Sequence, residues 1–381
     1  MKIAQVATSD ISVRFLLLDH LLALRDMGHE VIAVCSPGPW VEDVRQQGIR
    51  VEAVPMAREV DPLRDPRSLA SLVRCFRNNL FDVVHTHTPK AGLLGPLAAR
   101  LAGVPTIVHT VHGLLFHDAQ SRMQQRLYWL PEKVTATMSH HLLCQSREDV
   151  ETCVNRGICS AGKVSYLGNG IDTQRFQPPG REFKVLAGRE LGFAEKDFVI
   201  GTVARLVYDK GLAEIFDAAE SIRGRFAHAK FVVVGPEDHD QHDAVPSERI
   251  QDLANRGIIL FSGMQTDLLK WYAAMDIFVL PSHREGVPRA CMEAAASGLP
   301  VVASDIRGCR EVVVDGVTGI LTPVRNSAVL AGAIERLMAD PSAARSMGEE
   351  GRRHIRENFD HRQVLDRLRR FYGEIEARKM Q

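Results

Sequence analysis

The chain has 381 residues, of which 45% are hydrophobic and 25% charged, and its 47 basic residues balance 47 acidic ones. This length allows two or three globular domains, and the lack of a basic surplus argues against a nucleic-acid-binding protein. Seven scattered cysteines without a C-x-x-C pair argue against a disulfide framework or a zinc site and favour the reducing cytoplasm.

Apolar stretches typical of buried strands alternate with helical patterns through the first half of the chain. The strand candidates are, in order, KIAQVAT, EVIAVCS, IRVEAVP, FDVVHTH, TIVHTVH, HHLLCQS and KVSYLGNG. The helical patterns are VRFLLLDHLLALRDMG, WVEDVRQQG, PRSLASLVRCFRNN and AGLLGPLAARLAG. Strands that alternate with helices predict a parallel, doubly wound sheet.

The second half repeats this alternation. Its strand candidates are FVIGTVA, AKFVVVG, IILFSG, DIFVLPS, PVVASD and GILTP. Its helical patterns are GLAEIFDAAESIR, PSERIQDLANRG, TDLLKWYAAM and RACMEAAAS. The predicted fold class is therefore α/β, with two doubly wound Rossmann-like domains that face each other across a cleft and bind ligands at the carboxyl ends of their strands.

The domain boundary is predicted from composition. The stretch GNGIDTQRFQPPG (168–180) is rich in glycine and proline and has no strand or helix period, which indicates a linker. We therefore expect an N-terminal domain over 1–168 and a C-terminal domain over 169–358. Residues 359–381 predict a long amphipathic helix, which we expect to pack back toward the N-terminal domain.

The segment REGVPRACMEAAASGLPVVASD (284–305) places two carboxylates around the start of a predicted helix. Pro288 suits the first helical position, and Gly298 is a natural helix end. Glu285 then precedes the helix and Glu293 lies about two turns into it; eight helical residues span about 12 Å, too far for the carboxylate pair of a retaining glycosidase. Such acids would instead hold both ends of an extended ligand with an anionic middle, such as a nucleotide sugar. Two solvated surface glutamates are the open alternative.

Other motif matches fail in their context. GICSAGKV (157–164) is similar to a phosphate-binding P-loop, but Val164 stands where the magnesium-binding Ser or Thr belongs. No G-x-G-x-x-G follows the first strand, which argues against a dinucleotide dehydrogenase. The histidines of HTHTPK (85–90) and HTVHG (109–113) have no carboxylate at a metal-binding spacing, and the DHD at 238–240 lies in a polar loop, so we expect no metal site.

As a whole, the sequence resembles the family 4 retaining glycosyltransferases, which have the two-domain GT-B fold. The resemblance rests on the E-x7-E pair, on GTVARLVYDKG (201–211), on VVVGPE (232–237) and on His112-Gly113. It covers the whole chain in the family's order. The stretch HTHTPKAGLLGPLAARLAGVPTIVHTVHGLLFH is similar to the capsular and exopolysaccharide type, which builds envelope glycans on a lipid carrier.

The resemblance implies that the first domain receives the acceptor and the second binds the nucleotide sugar. Arg205 and Lys210 match the pair that grips the donor diphosphate, where cations stabilise the charge that develops on the leaving group. Glu293 matches the carboxylate that binds the ribose, and Glu285 matches the one that meets the transferred sugar. The alternative is that Arg205 and Lys210 are ordinary surface side chains with no ligand.

Further site residues follow from the same resemblance. Gly286 and Val287 would offer backbone N–H groups to the transferred sugar, and Gly263 and Met264 match the positions where the family packs the nucleotide base. His112 matches the histidine that holds a sugar hydroxyl near the reacting centre; a strand-end histidine with only local bonds is the alternative.

The sequence also departs from the family pattern. Pro288 has no N–H to give the sugar, and Arg289 is bulkier than is common there. The loop TSDISVR (8–14) lacks the glycine pair that many relatives carry after the first strand. We therefore expect the acceptor side to be lined by the loop's polar residues, Ser9, Asp10, Ser12 and Arg14.

The implied activity is retaining transfer of a sugar from a nucleotide donor, a UDP-sugar, to a glycan acceptor on a lipid carrier in bacterial envelope polysaccharide synthesis. Arg205 and Lys210 replace a metal, so no cofactor is expected. Two alternatives remain open. One is an enzyme like the UDP-sugar 2-epimerases on the same fold, and the other is a non-catalytic protein that binds sugar nucleotides.

A lipid-linked acceptor predicts contact with an anionic membrane surface. The sequence shows neither the apolar core of a signal peptide nor an apolar run of about 18 residues, so we expect a cytoplasmic, peripheral protein. PRSLASLVRCFRNN (66–79) and SRMQQRLYWLPEK (121–133) both place basic residues beside aliphatic and aromatic ones, as interfacial segments do. The alternative for both stretches is an ordinary amphipathic helix that packs on the sheet and points its charges outward.

Overall fold

The computed structural model describes residues 1–57, 61–114, 116, 120–239 and 241–380. The chain forms two compact units. Unit 1 comprises Met1–Gly168 together with Val364–Gln381, and unit 2 comprises Asn169–Gln363. Each unit is built on a parallel sheet with helices between its strands, which confirms the predicted α/β class and the two doubly wound domains.

Unit 1 contains a parallel sheet of seven strands in the order β3-β2-β1-β4-β5-β6-β7. The strands are β1 (Lys2–Val6), β2 (Glu30–Cys35), β3 (Arg50–Ala53), β4 (Val83–Thr86), β5 (Thr106–Val111), β6 (His141–Cys144) and β7 (Val164–Tyr166). The strand order reverses between β1 and β4, and the carboxyl ends of strands at such a switch point are where ligands bind.

Helices connect the strands of unit 1. They are α1 (Asp10–Ser12), α2 (Leu18–Asp26), α3 (Val41–Gln46), α4 (Asp65–Asn79), α5 (Pro89–Ala102), α6 (Arg122–Met138) and α7 (Arg147–Asn155). The helix predicted over 13–28 is not a uniform α-helix, because its first turn, Val13–Leu17, is π-helical. The P-loop-like stretch forms a short 3-10 turn, Ala161–Lys163, ahead of β7.

Apolar clusters cover both faces of the seven-stranded sheet, and successive residues of a strand pack in different clusters. Ile3 packs in one cluster with Leu21 and Leu368. The next residue, Ala4, packs in another cluster with Phe76. Strands buried on both faces have continuous apolar sequences, and this is why the strands could be recognised from sequence.

Unit 2 contains a parallel sheet of six strands in the order β10-β9-β8-β11-β12-β13. The strands are β8 (Phe198–Val203), β9 (Ala229–Val234), β10 (Ile259–Phe261), β11 (Ile277–Leu280), β12 (Val301–Ser304) and β13 (Gly319–Thr322). Here β8 and β11 lie side by side at the point where the order reverses. Their carboxyl ends are the expected ligand position.

The helices of unit 2 include several that the sequence patterns do not identify. The helices are α8 (Arg181–Glu190), α9 (Leu212–Arg223), α10 (Ser247–Asn255), α11 (Leu269–Ala274), α12 (Arg289–Ala296), α13 (Arg307–Val312), α14 (Ser327–Ala339) and α15 (Pro341–Asn358). Asp340 separates α14 from α15, because its carboxylate accepts the Ala343 N–H at 2.9 Å and caps the second helix.

The last helix, α16 (His361–Met380), begins in unit 2 and belongs to unit 1 from Val364 onward. Leu368 and Tyr372 are fully buried and pack in the apolar cluster of unit 1 that contains Ile3. Within the described residues, none of the helices combines the length and the apolarity that crossing a bilayer requires.

Candidate active site

Lys210 and Glu285 meet at the carboxyl ends of two neighbouring strands of unit 2. Lys210 closes the 3-10 turn Tyr208–Lys210 after β8, and Glu285 lies in the loop after β11. Gly211 has a φ of 74°, and a Cβ there would lie 2.1 Å from the Pro281 carbonyl oxygen, so glycine is required for the two loops to approach. Lys210 Nζ donates to Glu285 Oε1 at 2.6 Å.

The loop that carries Glu285 is fixed by two further contacts. Ser282 Oγ donates to the same carboxylate oxygen at 2.8 Å. A Cβ on Gly308 would fall 1.5 Å from the Gly286 carbonyl oxygen, so α13 packs directly on the loop backbone. The Glu285 side chain is only 12% exposed, which excludes the alternative of a solvated surface glutamate.

The start of α12 differs slightly from the prediction. The helix begins at Arg289, and Pro288 is its N-cap rather than its first residue. The preceding residue, Val287, is buried, and its carbonyl oxygen accepts a hydrogen bond from Asn169 Nδ2 at 3.0 Å. Gly298, with a φ of 84°, follows the helix end as predicted.

Glu293 is buried in α12, with 8% of the residue exposed. It is the fifth residue of the helix, so it lies about one turn in rather than two. Burial raises the pKa of its carboxyl group, an effect opposed by Arg289 and by a hydrogen bond from the Tyr272 hydroxyl to Oε2 at 3.0 Å. Arg289 Nε lies 3.8 Å from Glu293 Oε1, so this bulky residue pairs with the carboxylate.

Arg205 follows β8 and forms an ion pair through Nη1 with Asp238 Oδ2. The loop after β9 approaches closely here, since a Cβ on Gly235 would lie 1.9 Å from the Ala204 carbonyl oxygen. The Arg205 side chain is 43% exposed and Asp238 only 12%. Asp238 is the first residue of the DHD stretch; Asp240, its last, lies outside the described residues.

The residues predicted to pack the nucleotide base follow β10. The Gly263 carbonyl oxygen accepts the Gly235 N–H at 3.0 Å, which joins this loop to the one that carries Asp238. Gly263 has a φ of 67°, and Met264 is 45% exposed. The loops after β8, β9, β10 and β11 therefore present the predicted donor-site residues at one end of the sheet of unit 2.

His112 belongs to unit 1 and directly follows β5. Its Nε2 lies 2.9 Å from His87 Nδ1, and its buried Nδ1 has no hydrogen-bond partner of good geometry among the described residues. Burial lowers the pKa of the His112 ring to about 3, and the nearby Gln145 side chain opposes this effect only in part. The ring is therefore neutral near pH 7.

The glycine-free loop 8–14 is tied into the fold of unit 1. Asp10 is 8% exposed, and its Oδ2 accepts the Trp40 N–H at 2.7 Å. Arg14 Nε donates to Asp43 Oδ2 at 2.6 Å. The charged groups of this loop thus have partners within the unit, and an acceptor-side role for it remains a prediction.

Sequence reasoning did not identify three partners of the candidate site, which are Tyr272, Asp238 and His87. Tyr272 lies in an apolar pattern that indicates only a core helix, and Asp238 belongs to the DHD stretch, for which the sequence indicated only a polar loop. The paired histidines of HTHTPK were the signal available for His87. The described residues contain no group of three or more His, Cys, Asp or Glu side chains placed to hold a metal ion.

Comparison with protein-family models gives two matches. The model described as "Glycosyl transferases group 1" matches residues 187–354, within unit 2. The model described as "Glycosyl transferase 4-like domain" matches residues 17–170, almost all in unit 1. The two matched ranges include the candidate site residues at the carboxyl ends of β5, β8, β10 and β11.

Similar proteins cover nearly the whole chain. UDP-Gal:alpha-D-GlcNAc-diphosphoundecaprenol alpha-1,3-galactosyltransferase of Escherichia coli is 30% identical over 92% of this chain and 90% of its own length. The capsular polysaccharide biosynthesis glycosyltransferase CapM of Staphylococcus aureus is 27% identical over 92% and 91%. The structure of Anabaena HepE in complex with UDP and glucose has a TM-score of 0.81 at 22% identity, over 99% of this chain and all of that one, which shows a shared fold.

Proposed function

The chain belongs to the group 1 glycosyltransferases of GT-B fold, and from this premise we propose that it transfers a sugar from a UDP-sugar to a lipid-linked glycan without a metal cofactor. The family predicted from sequence is confirmed, and the protein is a retaining glycosyltransferase. The alternatives of an epimerase and a non-catalytic binding protein are not favoured, because the similar proteins are named as transferases.

One observation carries the assignment of the donor site: Lys210 and Glu285 are joined at 2.6 Å where β8 and β11 end. A donor diphosphate placed there would meet Lys210 and, from the neighbouring loop, Arg205. Both cations are held by carboxylates before any ligand binds, so they need little reorganisation when charge develops on the leaving phosphate. Glu285 lies beside Lys210 and would bind the sugar hydroxyls.

UDP is the proposed nucleotide. The similar E. coli enzyme is named for UDP-Gal, and HepE was solved with UDP and with UDP-glucose. In this chain, Glu293 would accept hydrogen bonds from the ribose hydroxyls, and Gly263 and Met264 would contact the base. Gly286 and Val287 would complete the sugar contacts through their backbone N–H groups.

The proposed acceptor is a saccharide on a lipid diphosphate carrier, at the cytoplasmic face of the membrane. Two similar proteins are named for diphosphoundecaprenol-linked acceptors, and a third is named for capsular polysaccharide biosynthesis. His112 and the loop 8–14 of unit 1 are the proposed acceptor-side residues.

A transfer assay tests the proposed function. Full-length protein is incubated with a panel of UDP-sugars and a polyprenyl-diphosphate-linked saccharide, and products are analysed by mass spectrometry and NMR. We expect UDP release, growth of the acceptor by one sugar and an unchanged anomeric configuration. Release of a free sugar or of its 2-epimer would favour the epimerase alternative, and donor binding without turnover would favour a binding protein.

We expect the transfer rate to be insensitive to metal removal. EDTA should change kcat and KM by less than about twofold, because Arg205 and Lys210 are proposed to neutralise the diphosphate in place of a metal ion. The assay compares rates in EDTA with rates after magnesium or manganese is added. Loss of turnover in EDTA that either metal restores would contradict the cationic mechanism.

Of the two stretches expected to contact a membrane, only α6 keeps an exposed apolar side. In α4, Leu72 and Phe76 are buried, and Leu69 and Val73 pack against the same core, so the apolar side of that helix covers the sheet. The packing of 66–79 thus favours the alternative of an ordinary amphipathic helix.

The α6 helix presents an apolar stripe to solvent. Met123, Leu127, Leu130 and Val134 are 79%, 67%, 57% and 37% exposed, and their spacing of four, three and four residues places them on one face. Two exposed arginines of the helix, Arg122 and Arg126, supply positive charge. Trp129 and Lys133 donate to the Arg156 and Gly157 carbonyl oxygens, so these two belong to the fold rather than to the stripe.

We expect the protein to co-sediment with vesicles of anionic phospholipid at low salt. Each arginine near the surface contributes about 1 kcal/mol, and 0.15 M salt screens charges beyond about 8 Å, so binding should weaken as salt rises. Leu127→Gln with Leu130→Gln should abolish binding. Phe183→Gln with Leu186→Gln, an exposed apolar pair of the same spacing on α8, should not. If both double variants bind the vesicles equally, the apolar stripe of α6 is not the membrane-binding surface.

A further inference from the structure

Unit 1 contains a continuous series of hydrogen bonds from His112 to the C-terminal helix. His112 Nε2 lies 2.9 Å from His87 Nδ1, and His87 Nε2 lies 2.6 Å from Gln5 Oε1. Gln5 Nε2 donates to the Tyr372 hydroxyl at 3.0 Å, and that hydroxyl lies 2.9 Å from His85 Nδ1. Four of these five residues are fully shielded from solvent, and His112 alone among them is partly exposed.

The histidines of this series are neutral. Burial holds the pKa values of His85 and His87 well below the ordinary histidine value, and their rings stack at a centroid distance of 4.3 Å, which two charged rings would resist. The series ends where His85 Nε2 lies 2.7 Å from Thr110 Oγ1. A neutral imidazole has one donor and one acceptor nitrogen, so every bond along the series has a direction.

The Gln5 amide sets that direction. With its oxygen on His87, the His87 Nε2 must donate, so His87 Nδ1 accepts and His112 Nε2 carries the proton. On the other side, the amide nitrogen donates to Tyr372, whose hydroxyl donates in turn to His85. Turning the amide over would reverse every bond and leave an N–H, instead of a lone pair, on the unpartnered Nδ1 of His112. The amide orientation in the structure, with the oxygen on His87 and the nitrogen on Tyr372, gives the first direction.

We propose that Gln5 and Tyr372 are positioning residues that hold His112 in the Nε2–H tautomer, so that its Nδ1 lone pair accepts a hydrogen bond from a sugar hydroxyl. This inference rests on the proposed glycosyl transfer, because the hydroxyl belongs to the sugar substrate. A buried polar atom without a partner costs stability, and such atoms occur where a ligand supplies the missing contact.

The Tyr372 hydroxyl makes a contribution that apolar packing alone does not require. The α16 helix packs on unit 1 through apolar residues such as Leu368, and a phenylalanine ring would fill the space of Tyr372 equally well. Burial raises the pKa of the Tyr372 hydroxyl, so it stays protonated and able to donate to His85. Its bond to Gln5 fixes the amide orientation on which the tautomer of His112 depends.

The tautomer is measured directly. Long-range 1H–15N spectra of full-length, 15N-labelled protein distinguish the protonated from the bare nitrogen of each histidine, and a His112→Asn spectrum assigns the His112 signals. We expect the Nε2–H form in the unmodified protein. Gln5→Met removes the acceptor from His87 and should turn the His112 signals into a mixture of tautomers. Tyr372→Phe frees the amide to turn over and should act in the same direction.

The same variants are assayed for transfer. The loss of one oriented neutral hydrogen bond should lower kcat by roughly 3- to 10-fold, with the Kd for UDP unchanged. Thr86→Val is the matched control, because Thr86 Oγ1 lies 2.9 Å from Nδ1 of His109, a buried histidine outside the series. It should leave both the His112 spectrum and kcat unchanged.

Two results would overturn the inference. One is an Nδ1–H form of His112 in the unmodified protein. The other is a His112 spectrum that is the same in the Gln5 and Tyr372 variants as in the unmodified protein; if Gln5→Met does not fold, Tyr372→Phe decides, since it keeps the ring. An intact Nε2–H spectrum in a protein that transfers no sugar would instead refute the proposed function and the substrate role of Nδ1, and leave the tautomer assignment standing.

Discussion

Alanine in place of Lys210 is expected to lower kcat by about 100- to 1,000-fold, the cost of removing one main donor to a developing negative charge. Lys210 Nζ is held 2.6 Å from Glu285, in the turn after β8 where the UDP diphosphate is proposed to leave. Because the leaving oxygen gains its charge only in the transition state, KM for the donor should rise much less than kcat falls. Steady-state kinetics with saturating acceptor measure both constants.

Arg205→Ala should act in the same direction. Its guanidinium pairs with Asp238, so the charge is positioned before the donor binds. Near-normal turnover in both single variants would remove these cations from the diphosphate site.

The chain provides a matched control for the Lys210 variant. Lys184 Nζ lies 2.7 Å from Asp276 Oδ1, nearly the same distance as that between Lys210 Nζ and Glu285 Oε1. Asp276 immediately precedes β11, so this pair lies at the amino end of a strand whose carboxyl end leads to Glu285. Lys184→Ala should leave kcat unchanged. A comparable fall in kcat in both variants would show that losing a paired lysine, and not losing a phosphate contact, causes the effect.

The strands could be predicted from sequence because their physical cause is local. A strand of a doubly wound sheet is buried on both faces, so its apolar run is visible in a few residues, as in the stretch that contains β9. The helices α14 and α15 were not identified. Their boundary depends on Asp340, whose capping role follows from the backbone geometry.

The site was predicted as a set of residues but not as a set of contacts. The E-x7-E spacing identifies Glu285 and Glu293, because both are read from one segment. The partner of Glu293 is Tyr272, which lies on a different helix 21 residues earlier, and Gln5 and Tyr372 are separated by 367 residues. Such pairs are created by strand order and helix packing, which no local pattern encodes.

Glu293→Ala is expected to raise the Kd for UDP by roughly 10- to 100-fold, the loss of hydrogen bonds from the ribose to a charged acceptor. Glu285→Ala should leave the Kd for UDP nearly unchanged and reduce the discrimination between UDP-sugars, because Glu285 is proposed to touch only the sugar. Calorimetric titration with UDP and with two UDP-sugars separates the two roles. Equal UDP affinity in Glu293→Ala and the unmodified protein would contradict the ribose role.

The buried state of Glu293 gives this prediction a pH dependence. Burial raises the pKa of its carboxyl group, so its proton returns at a higher pH than for an ordinary glutamate. The carboxylate is the form that accepts both ribose hydroxyls, and UDP affinity should therefore fall as the pH drops through this raised pKa. Tyr272→Phe removes a hydrogen bond that favours the carboxylate, and should move the loss of affinity to a still higher pH.

Folding stability should depend on pH in the opposite sense to UDP affinity. A carboxyl group whose pKa is raised by folding stabilises the folded state at low pH, and that contribution is lost as the pH rises through the raised pKa. Above the raised pKa the folded protein therefore carries the cost of a buried carboxylate. Glu293→Gln keeps the shape and an acceptor for Tyr272. Above the raised pKa of Glu293, this variant should unfold at a higher temperature than the unmodified protein and bind UDP more weakly. A lower unfolding temperature in Glu293→Gln would show that this carboxylate stabilises the fold. That result would count against the proposal that the carboxylate serves donor binding at a cost in stability.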